Sequence, residues 1–189
     1  MELFFDTETS NMYQFKKPHT DPSQPWIVQL GFILSERDKI YQEGNLLIYN
    51  NGRLIEPGAE AVHHISVEET ERSGLSESIV MEVMIQLFKQ ADLIVCHNIG
   101  FDMKVLMSNI SRYYHKLPNK FTLSEFHYCT MLKGTPLCKL PGKFGNYKWP
   151  KLQELHLHLF GEEFKDAHDA LGDVRATRRC YYEMTKEMI

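Results

Sequence analysis

His168 and Asp173 are the residues near the carboxyl end of the chain whose types and spacing could support chemistry. They lie at the start of a proline-free stretch, residues 169–188, whose apolar positions recur at roughly helical spacing. A histidine just outside a helix start and a carboxylate inside its first turns can converge on one ligand above that end. Both could equally be solvated or capping groups, so the pair indicates a site only together with other acidic residues.

Asp6 and Glu8 form a second acidic pair, at the end of the apolar run 3–5. Strand side chains alternate, so residues two apart share a face. Two carboxylates on one face repel each other unless a cation lies between them. Asp102 falls in the first turn of a predicted helix that follows the apolar run 93–96. A polar strand end and a partner for the helix dipole are the alternative readings.

Together these residues and their neighbours resemble the DEDDh 3′–5′ exonucleases of the ribonuclease H-like superfamily, which include the proofreading epsilon subunit of bacterial DNA polymerase III. The resemblance covers most of the chain through FFDTETS, AVHHIS, HNIGFD and HDALGDVRAT. It implies that His168 is the general base, and that two divalent cations, Mg²⁺ or Mn²⁺, bind Asp6, Glu8, Asp102 and Asp173. A related branch places a tyrosine four residues before the last aspartate. Asp169 stands there in this chain, which fits the histidine branch.

The segment AVHHIS resembles the family loop in which a His-Gly-Ile turn contacts the terminal nucleotide. The resemblance implies substrate contacts for His63 and Ile65, with Thr7 and Asn98 as further candidates. His64 replaces the glycine of that turn, and glycine adopts backbone angles that histidine disfavours. Ile65 could instead anchor the loop in the core, and Asn98 could serve as a hydrogen-bonding residue at a strand end.

Residues 133–151 contain five lysines, three aromatic residues (Phe144, Tyr147 and Trp149) and no acid. This mixture predicts a strip whose lysines contact phosphates while an aromatic ring stacks on a base. We expect Lys139, Lys143 and Lys148 to make the phosphate contacts. The alternative is a solvated loop whose aromatic residues pack on the core.

The hydrophobic pattern predicts the elements that position these residues. Strands are expected at 3–5, 25–36, 39–50, 93–96 and 126–131, and helices at 76–90, 101–114, 152–160 and 169–188. Residues 10–25 and 50–60 are expected to be loops, because both are rich in turn formers. Ser66 and Glu69 have the spacing of a capping box. In the first helix we expect Ile79, Val83 and Leu87 to face the core.

Three antiparallel strands followed by alternating helices and strands indicate an α/β protein with a mixed five-stranded sheet flanked by helices. That order agrees with the ribonuclease H-like fold that the resemblance implies. The length of 189 residues predicts one exonuclease domain over 1–189.

Composition excludes some classes of function. The net charge of −4 excludes a strongly basic nucleic-acid binder, although not a nuclease whose metal ions supply positive charge. The four cysteines form no CxxC pair, so we expect free thiols in a reducing cytoplasm and no structural zinc site. The sequence has no apolar run of membrane-spanning length and no visible secretory signal, which predicts a cytoplasmic protein without membrane contact.

We therefore predict a metal-dependent 3′–5′ exonuclease that releases nucleoside 5′-monophosphates from single-stranded 3′ ends, with DNA favoured over RNA. An exoribonuclease or oligoribonuclease stays open, because the same motif serves both sugars. A non-catalytic nucleic-acid-binding or polymerase-docking module is the other alternative, although all five matched positions are present. A polymerase or replication protein is a candidate partner. The chain ends soon after the last predicted helix, which favours a freestanding enzyme.

Overall fold

Strand β1 (Glu2–Thr9) is the central strand of the sheet in this computed structural model, which describes residues 1–114 and 124–186. The other strands are β2 (Ile27–Glu36), β3 (Lys39–Leu47), β4 (Leu93–Cys96) and β5 (His127–Cys129). They form one five-stranded sheet in the order β3-β2-β1-β4-β5. β2 is antiparallel to β1 and β3, whereas β4 is parallel to β1 and β5. The predicted mixed sheet is therefore confirmed.

The helices of the described residues are α1 (Pro57–His63), α2 (Val67–Ser73), α3 (Glu77–Gln90), α4 (Ile99–Ile110), α5 (Thr130–Cys138), α6 (Leu152–Phe160) and α7 (Ala170–Thr185). Short 3₁₀ turns lie at Ser124–Phe126 and Lys143–Gly145. Within this described part of the chain, no helix is both long and apolar enough to cross a bilayer.

Alternation along β1 decides what each face of the sheet contacts. Leu3 and Phe5 are fully buried in the main core, which also contains the apolar residues of α3 and α4. Phe4 points to the opposite face and packs in a smaller core with residues of α7. Asp6 and Glu8 follow Phe4 at two-residue steps. Both carboxylates therefore lie on the face of the sheet that α7 covers.

Helix α7 approaches the sheet closely at Gly31 of β2, which pairs in register with Asp6. A Cβ at Gly31 would lie 2.4–2.5 Å from backbone atoms of Ala170 and Leu171. Only glycine lets the first turn of the helix lie directly against the sheet backbone here. Because Gly31 is the neighbour of Asp6, this contact brings the start of α7 to the acidic end of β1.

The loop 10–25 has no regular helix or strand, as predicted, but it is held firmly to the body of the protein. The buried Glu77 carboxylate accepts bonds from Arg53 at 2.9 Å and from Arg112 at 2.7 Å. The Arg112 guanidinium also donates to the carbonyl of Gln24 at 3.1 Å. The loop is therefore attached to α3 and to the turn after α4 through the ion pairs of Glu77.

Two segments have more helix than the sequence predicts. Helix α1 covers residues 57–63, so it replaces the last four residues of the predicted loop 50–60. Its first position is a proline, which suits a helix start. The predicted fifth strand, 126–131, ends at Cys129 because Thr130 begins α5. Gly134 lets α5 pack closely on Leu155 of α6, since a Cβ there would lie 2.7 Å from that leucine. This tertiary contact outweighs the poor helix propensity of the segment.

The predicted core face of α3 is partly wrong. Leu87 is buried, but Ile79 is 56% exposed, and Val83 is only partly buried. The buried face is instead formed by Val80, Met81, Met84, Ile85, Leu87 and Phe88. The predicted capping box of α2 is confirmed, because the Ser66 and Glu69 side chains each accept a bond from the other's backbone N–H.

We predict that Gly31→Ala lowers the free energy of unfolding by about 1–3 kcal/mol, because the new Cβ would meet backbone atoms that cannot rotate away. Gly58→Ala is the matched control, since nothing lies within 4 Å of its added Cβ. Urea unfolding midpoints of the two variants and the wild type measure the difference. Equal midpoints for Gly31→Ala and Gly58→Ala would contradict the close approach of α7.

Candidate active site

The carboxyl ends of β1 and β4 open into a cleft of about 530 Å³. The five residues predicted to be catalytic all line it: Asp6, Glu8, Asp102, His168 and Asp173. They come from β1, from the first turns of α4 and α7, and from the turn before α7. The fold thus brings residues from three distant parts of the chain to one place.

Asp102 enters the cleft from α4 and is 2% exposed. Its Oδ1 accepts a hydrogen bond from Thr7 Oγ1 at 2.9 Å. Thr7 lies between the two acidic residues of β1, so this bond ties the start of α4 to the acidic strand end. Thr7 is itself buried, which makes it a positioning residue for Asp102. Asn98 adopts a φ of 68° at the start of α4 and is exposed in the same cleft.

The start of α7 is held by side chains of the sheet. Asp169 caps the helix, since its Oδ2 accepts from the Gly172 N–H at 3.0 Å. Its Oδ1 accepts from Gln29 of β2 at 3.1 Å and from Asn45 of β3 at 2.8 Å. Gln29 also accepts from the Ala170 N–H at 2.9 Å. The residue that stands in place of the tyrosine of the related branch thus serves as a helix cap.

His168 lies directly before this cap, with a φ of 67°. Its backbone N–H donates to Asp173 Oδ2 at 3.2 Å. Ligand atoms of Glu8, His168 and Asp173 lie within 4.8 Å of one another. The imidazole is exposed, whereas the two carboxylates are partly buried. A cation or a water molecule between these side chains could contact all of them.

Crowding and burial change the acidity of the carboxyl groups. Burial, followed by the charges of its acidic neighbours, raises the pKa of Asp6 well above its usual range. Burial and the charges of Asp173 and Asp102 raise the pKa of Glu8 to about 8. Burial raises the pKa of Asp102 to about 7, against the lowering effect of the Thr7 hydrogen bond. It also raises the pKa of Asp173 to about 6. Without a cation, the cluster therefore retains protons near neutral pH.

The donor set fits divalent metal ions. Carboxylate oxygens are the ligands that Mg²⁺ and Mn²⁺ prefer. A cation would oppose the burial and the repulsion that raise these pKa values, because it stabilises the charged form of each group. Asp6, Glu8, Asp102 and Asp173 are the side chains that would hold such ions.

The predicted nucleotide-contact loop, residues 61–66, contains a hydrogen bond from the Ile65 backbone to His63. This histidine is buried, its Nδ1 accepts from the Ile65 N–H at 3.0 Å, and burial lowers its pKa. His64 adopts a φ of 59°, in the left-handed region that favours glycine. The side chain of Ile65 is only 8% exposed and packs in the main core, which agrees with the anchoring alternative.

Part of the lysine strip, residues 133–151, lines the cleft. Its residues that line the cleft are Trp149, Pro150 and Lys151. The three lysines predicted to contact phosphates, Lys139, Lys143 and Lys148, are not among the lining residues. Lys148 is instead paired with Glu154 at 2.5 Å. The lysine placed at the cleft is Lys151.

Sequence reasoning missed the residues that position α7. Gln29 offered a signal, because it is a polar residue inside the apolar run IVQLGFIL, and a buried polar group needs partners. Asn45 offered none that distinguishes it from other polar residues on β3. His97, at the end of β4, forms hydrogen bonds with Thr130 and with the carbonyl of Pro150, both at 3.0 Å.

Two comparisons relate this chain to known proteins, one with family models and one with solved structures. The model of the RNase T exonuclease family matches residues 3–181. Escherichia coli exonuclease I in complex with a dA16 oligonucleotide has a TM-score of 0.75 and 20% identity, over 98% of this chain and 40% of that chain. The zinc-bound E. coli exonuclease I–single-stranded DNA complex has a TM-score of 0.71 and 20% identity, over 99% of this chain and 40% of that chain. Exonuclease I from Methylocaldum szegediense has a TM-score of 0.72 and 20% identity, over 98% of this chain and 40% of that chain.

These structural similarities show a shared fold. The chain spans about two fifths of the length of the exonuclease I chains that it matches. No curated protein sequence matches this chain.

The raised pKa values predict how stability depends on pH. Each carboxyl group binds its proton more tightly in the folded protein than in the unfolded chain, so the folded state is favoured at low pH and loses stability as pH rises. Below about pH 6.5 the lowered pKa values of His63 and His97 act in the opposite direction. We therefore expect the stability of metal-free protein to fall between about pH 6.5 and 8.5.

Thermal unfolding in chelator measures this decline, and Asp6→Asn should make it shallower by removing one of the repelling charges. Added Mg²⁺ should stabilise the wild type more at the upper end of the range than at the lower end. A decline of the same slope in Asp6→Asn would show that the cluster does not cause it.

Proposed function

Because this chain belongs to the RNase T exonuclease family, we propose that it removes nucleoside 5′-monophosphates from the 3′ end of single-stranded DNA. Membership confirms the predicted resemblance to the DEDDh exonucleases and the ribonuclease H-like fold. The observation that carries the proposal is the convergence of four carboxylates and His168 in one open cleft. We propose that residues 1–189 act as one exonuclease domain.

Asp6, Glu8, Asp102 and Asp173 are proposed to hold two divalent cations, Mg²⁺ or Mn²⁺. Bound in this way, a cation pair supplies positive charge to the attacking and leaving oxygens of an in-line displacement. The contribution of the protein is to hold the carboxylates in place before the ions arrive. The Thr7–Asp102 bond does this for α4, and the Asp169 cap does it for α7.

His168 is proposed to accept the proton of the attacking water. An imidazole can do this near neutral pH. The position of His168 fits the role, because its ring reaches the same space as the Glu8 and Asp173 carboxylates. Its exposure also gives the proton a path to bulk solvent. The backbone bond from His168 to Asp173 keeps the base and the carboxylate together.

DNA is proposed over RNA because exonuclease I, a protein of this fold, has been captured with dA16 and dT13 oligonucleotides. A non-catalytic module is disfavoured, since a binding surface for a polyanion would not need four clustered carboxylates, which repel phosphate. The polymerase partner and the cytoplasmic location stay predictions from the sequence.

Digestion of matched 5′-labelled DNA and RNA strands with Mg²⁺ tests activity, direction and sugar preference together. We expect a ladder of strands shortened from the 3′ end, mononucleotide 5′-phosphates as products, and faster loss of DNA. A 3′-phosphate should block the reaction, because it adds negative charge beside the carboxylates. Cleavage of circular single strands, or full activity after exhaustive chelation, would contradict the proposal.

Substitutions should separate the roles of His168 and Asp173 at the start of α7. Asp173→Asn should abolish turnover and weaken Mg²⁺ binding, whereas His168→Ala should retain Mg²⁺ binding and lose roughly 10²–10⁴-fold in kcat. Glu163→Gln and His158→Ala are the matched controls, since they remove the same chemical groups from exposed positions. If His168→Ala had the kcat of the wild type at neutral pH, another group would be the base.

A further inference from the structure

His97 links the end of β4 to the opposite wall of the cleft. Its Nδ1 lies 3.0 Å from Thr130 Oγ1, and its Nε2 lies 3.0 Å from the carbonyl oxygen of Pro150. A carbonyl oxygen can only accept a hydrogen bond, so Nε2 of His97 carries the proton and donates a hydrogen bond to the Pro150 carbonyl. Burial lowers the pKa of His97 to about 4, which keeps the ring neutral. Nδ1 is therefore an acceptor, and its donor is the Thr130 hydroxyl, whose oxygen lies closer to Nδ1 than to the Cys96 carbonyl oxygen at 3.3 Å.

Pro150 is buried, and its two neighbours in the chain line the cleft. Trp149 precedes it with 64% of its surface exposed, and the exposed Lys151 follows it. The His97 bond therefore fixes the short segment that places an indole ring and an ammonium group at the rim. A tryptophan so exposed leaves a large apolar surface in contact with water, which a bound ring could cover.

We propose that Trp149 is a stacking platform for a base of the single strand upstream of the terminal nucleotide, and that His97 is its positioning residue. This inference rests on the proposed function, since it assigns a second contact to the same substrate. An aromatic face stacks on any base and suits an enzyme that shortens strands of varied sequence. The lysines of the segment favour a polyanion over an acidic or apolar partner.

Phe144 provides a matched control within the same segment. Its side chain is 98% exposed, but it lies in the 3₁₀ turn Lys143–Gly145 and does not line the cleft. If exposed aromatic surface alone mattered, Phe144 would contribute as much as Trp149. If position at the cleft matters, only Trp149 contributes.

The first test uses intrinsic fluorescence in chelator, so that no strand is cut. The chain has two tryptophans, of which Trp26 is 4% exposed and Trp149 is 64% exposed. A single-stranded oligonucleotide should quench the emission, and Trp149→Phe should remove the quenching. An abasic strand of equal length and charge should not quench. Equal quenching by the abasic strand would overturn stacking in favour of charge alone.

The second test compares kcat/KM for a twelve-nucleotide strand with kcat/KM for a dinucleotide. Trp149→Ala should reduce this ratio roughly tenfold, mainly through KM for the long strand, because stacking is equal in the ground and transition states. Phe144→Ala should leave the ratio at the wild-type value. A Trp149→Ala ratio equal to that of Phe144→Ala would overturn the platform.

His97 is tested by two substitutions that differ in reach. His97→Gln can place an amide N–H near the position of Nε2 and should largely retain the ratio, whereas His97→Asn cannot reach Pro150 and should behave like Trp149→Ala. Thermal midpoints and circular dichroism confirm that both variants fold. Equal ratios for the two variants would overturn the positioning role.

The outcomes also separate the platform from the proposed function. If the protein hydrolyses strands, but Trp149→Ala leaves the ratio of the two kcat/KM values unchanged and oligonucleotides do not quench the fluorescence, the exonuclease proposal is retained and the stacking platform is rejected. Base-dependent quenching without any hydrolysis would remove the proposed activity and leave Trp149 as a binding surface.

Discussion

The contact between the first turn of α7 and Gly31 of β2 is the constraint on which the site depends. Asp6 and Glu8 belong to β1, whereas Asp173 belongs to α7, so only tertiary structure sets the distance between them. Repulsion between the carboxylates acts to push α7 away from the sheet. The close approach at Gly31, together with the bonds from Gln29 and Asn45 to the helix cap, opposes that force.

The energy that holds the carboxylates together comes from elsewhere in the fold. Phe4 lies two residues before Asp6 and packs with the apolar side of α7. Hydrophobic burial along the helix therefore stabilises the contact that repulsion at its first turn weakens. The raised pKa values reflect the burial of these carboxyl groups first and the charges of their acidic neighbours second. A divalent cation between the carboxylates would favour their charged forms, so the packing that buries these groups would also favour the binding of a metal ion.

Local rules predicted the parts of the site that depend on local geometry. The two-residue period of a strand places Asp6 and Glu8 on one face without reference to the rest of the chain. The extent of α5 could not be predicted in this way, since its glycine and proline disfavour a helix and packing against Leu155 decides the outcome. The pairing of Lys148 with Glu154 likewise depends on where α6 lies, which the sequence does not show. The left-handed φ of His64 shows that a histidine can be held in a conformation that its type disfavours.

The stretch HNIGFD, residues 97–102, joins the chemical side of the cleft to its rim. His97 at its start bonds to Pro150, and Asp102 at its end accepts a bond from Thr7. Asn98 turns the chain between them with a positive φ, which begins α4 at once. Because the stretch is continuous and His97 bonds to Pro150, the distance from the Asp102 carboxylate to the rim depends on covalent geometry, one helical turn and one hydrogen bond. A strand that rests on the rim would therefore meet the carboxylates at a constant spacing, whichever base it presents.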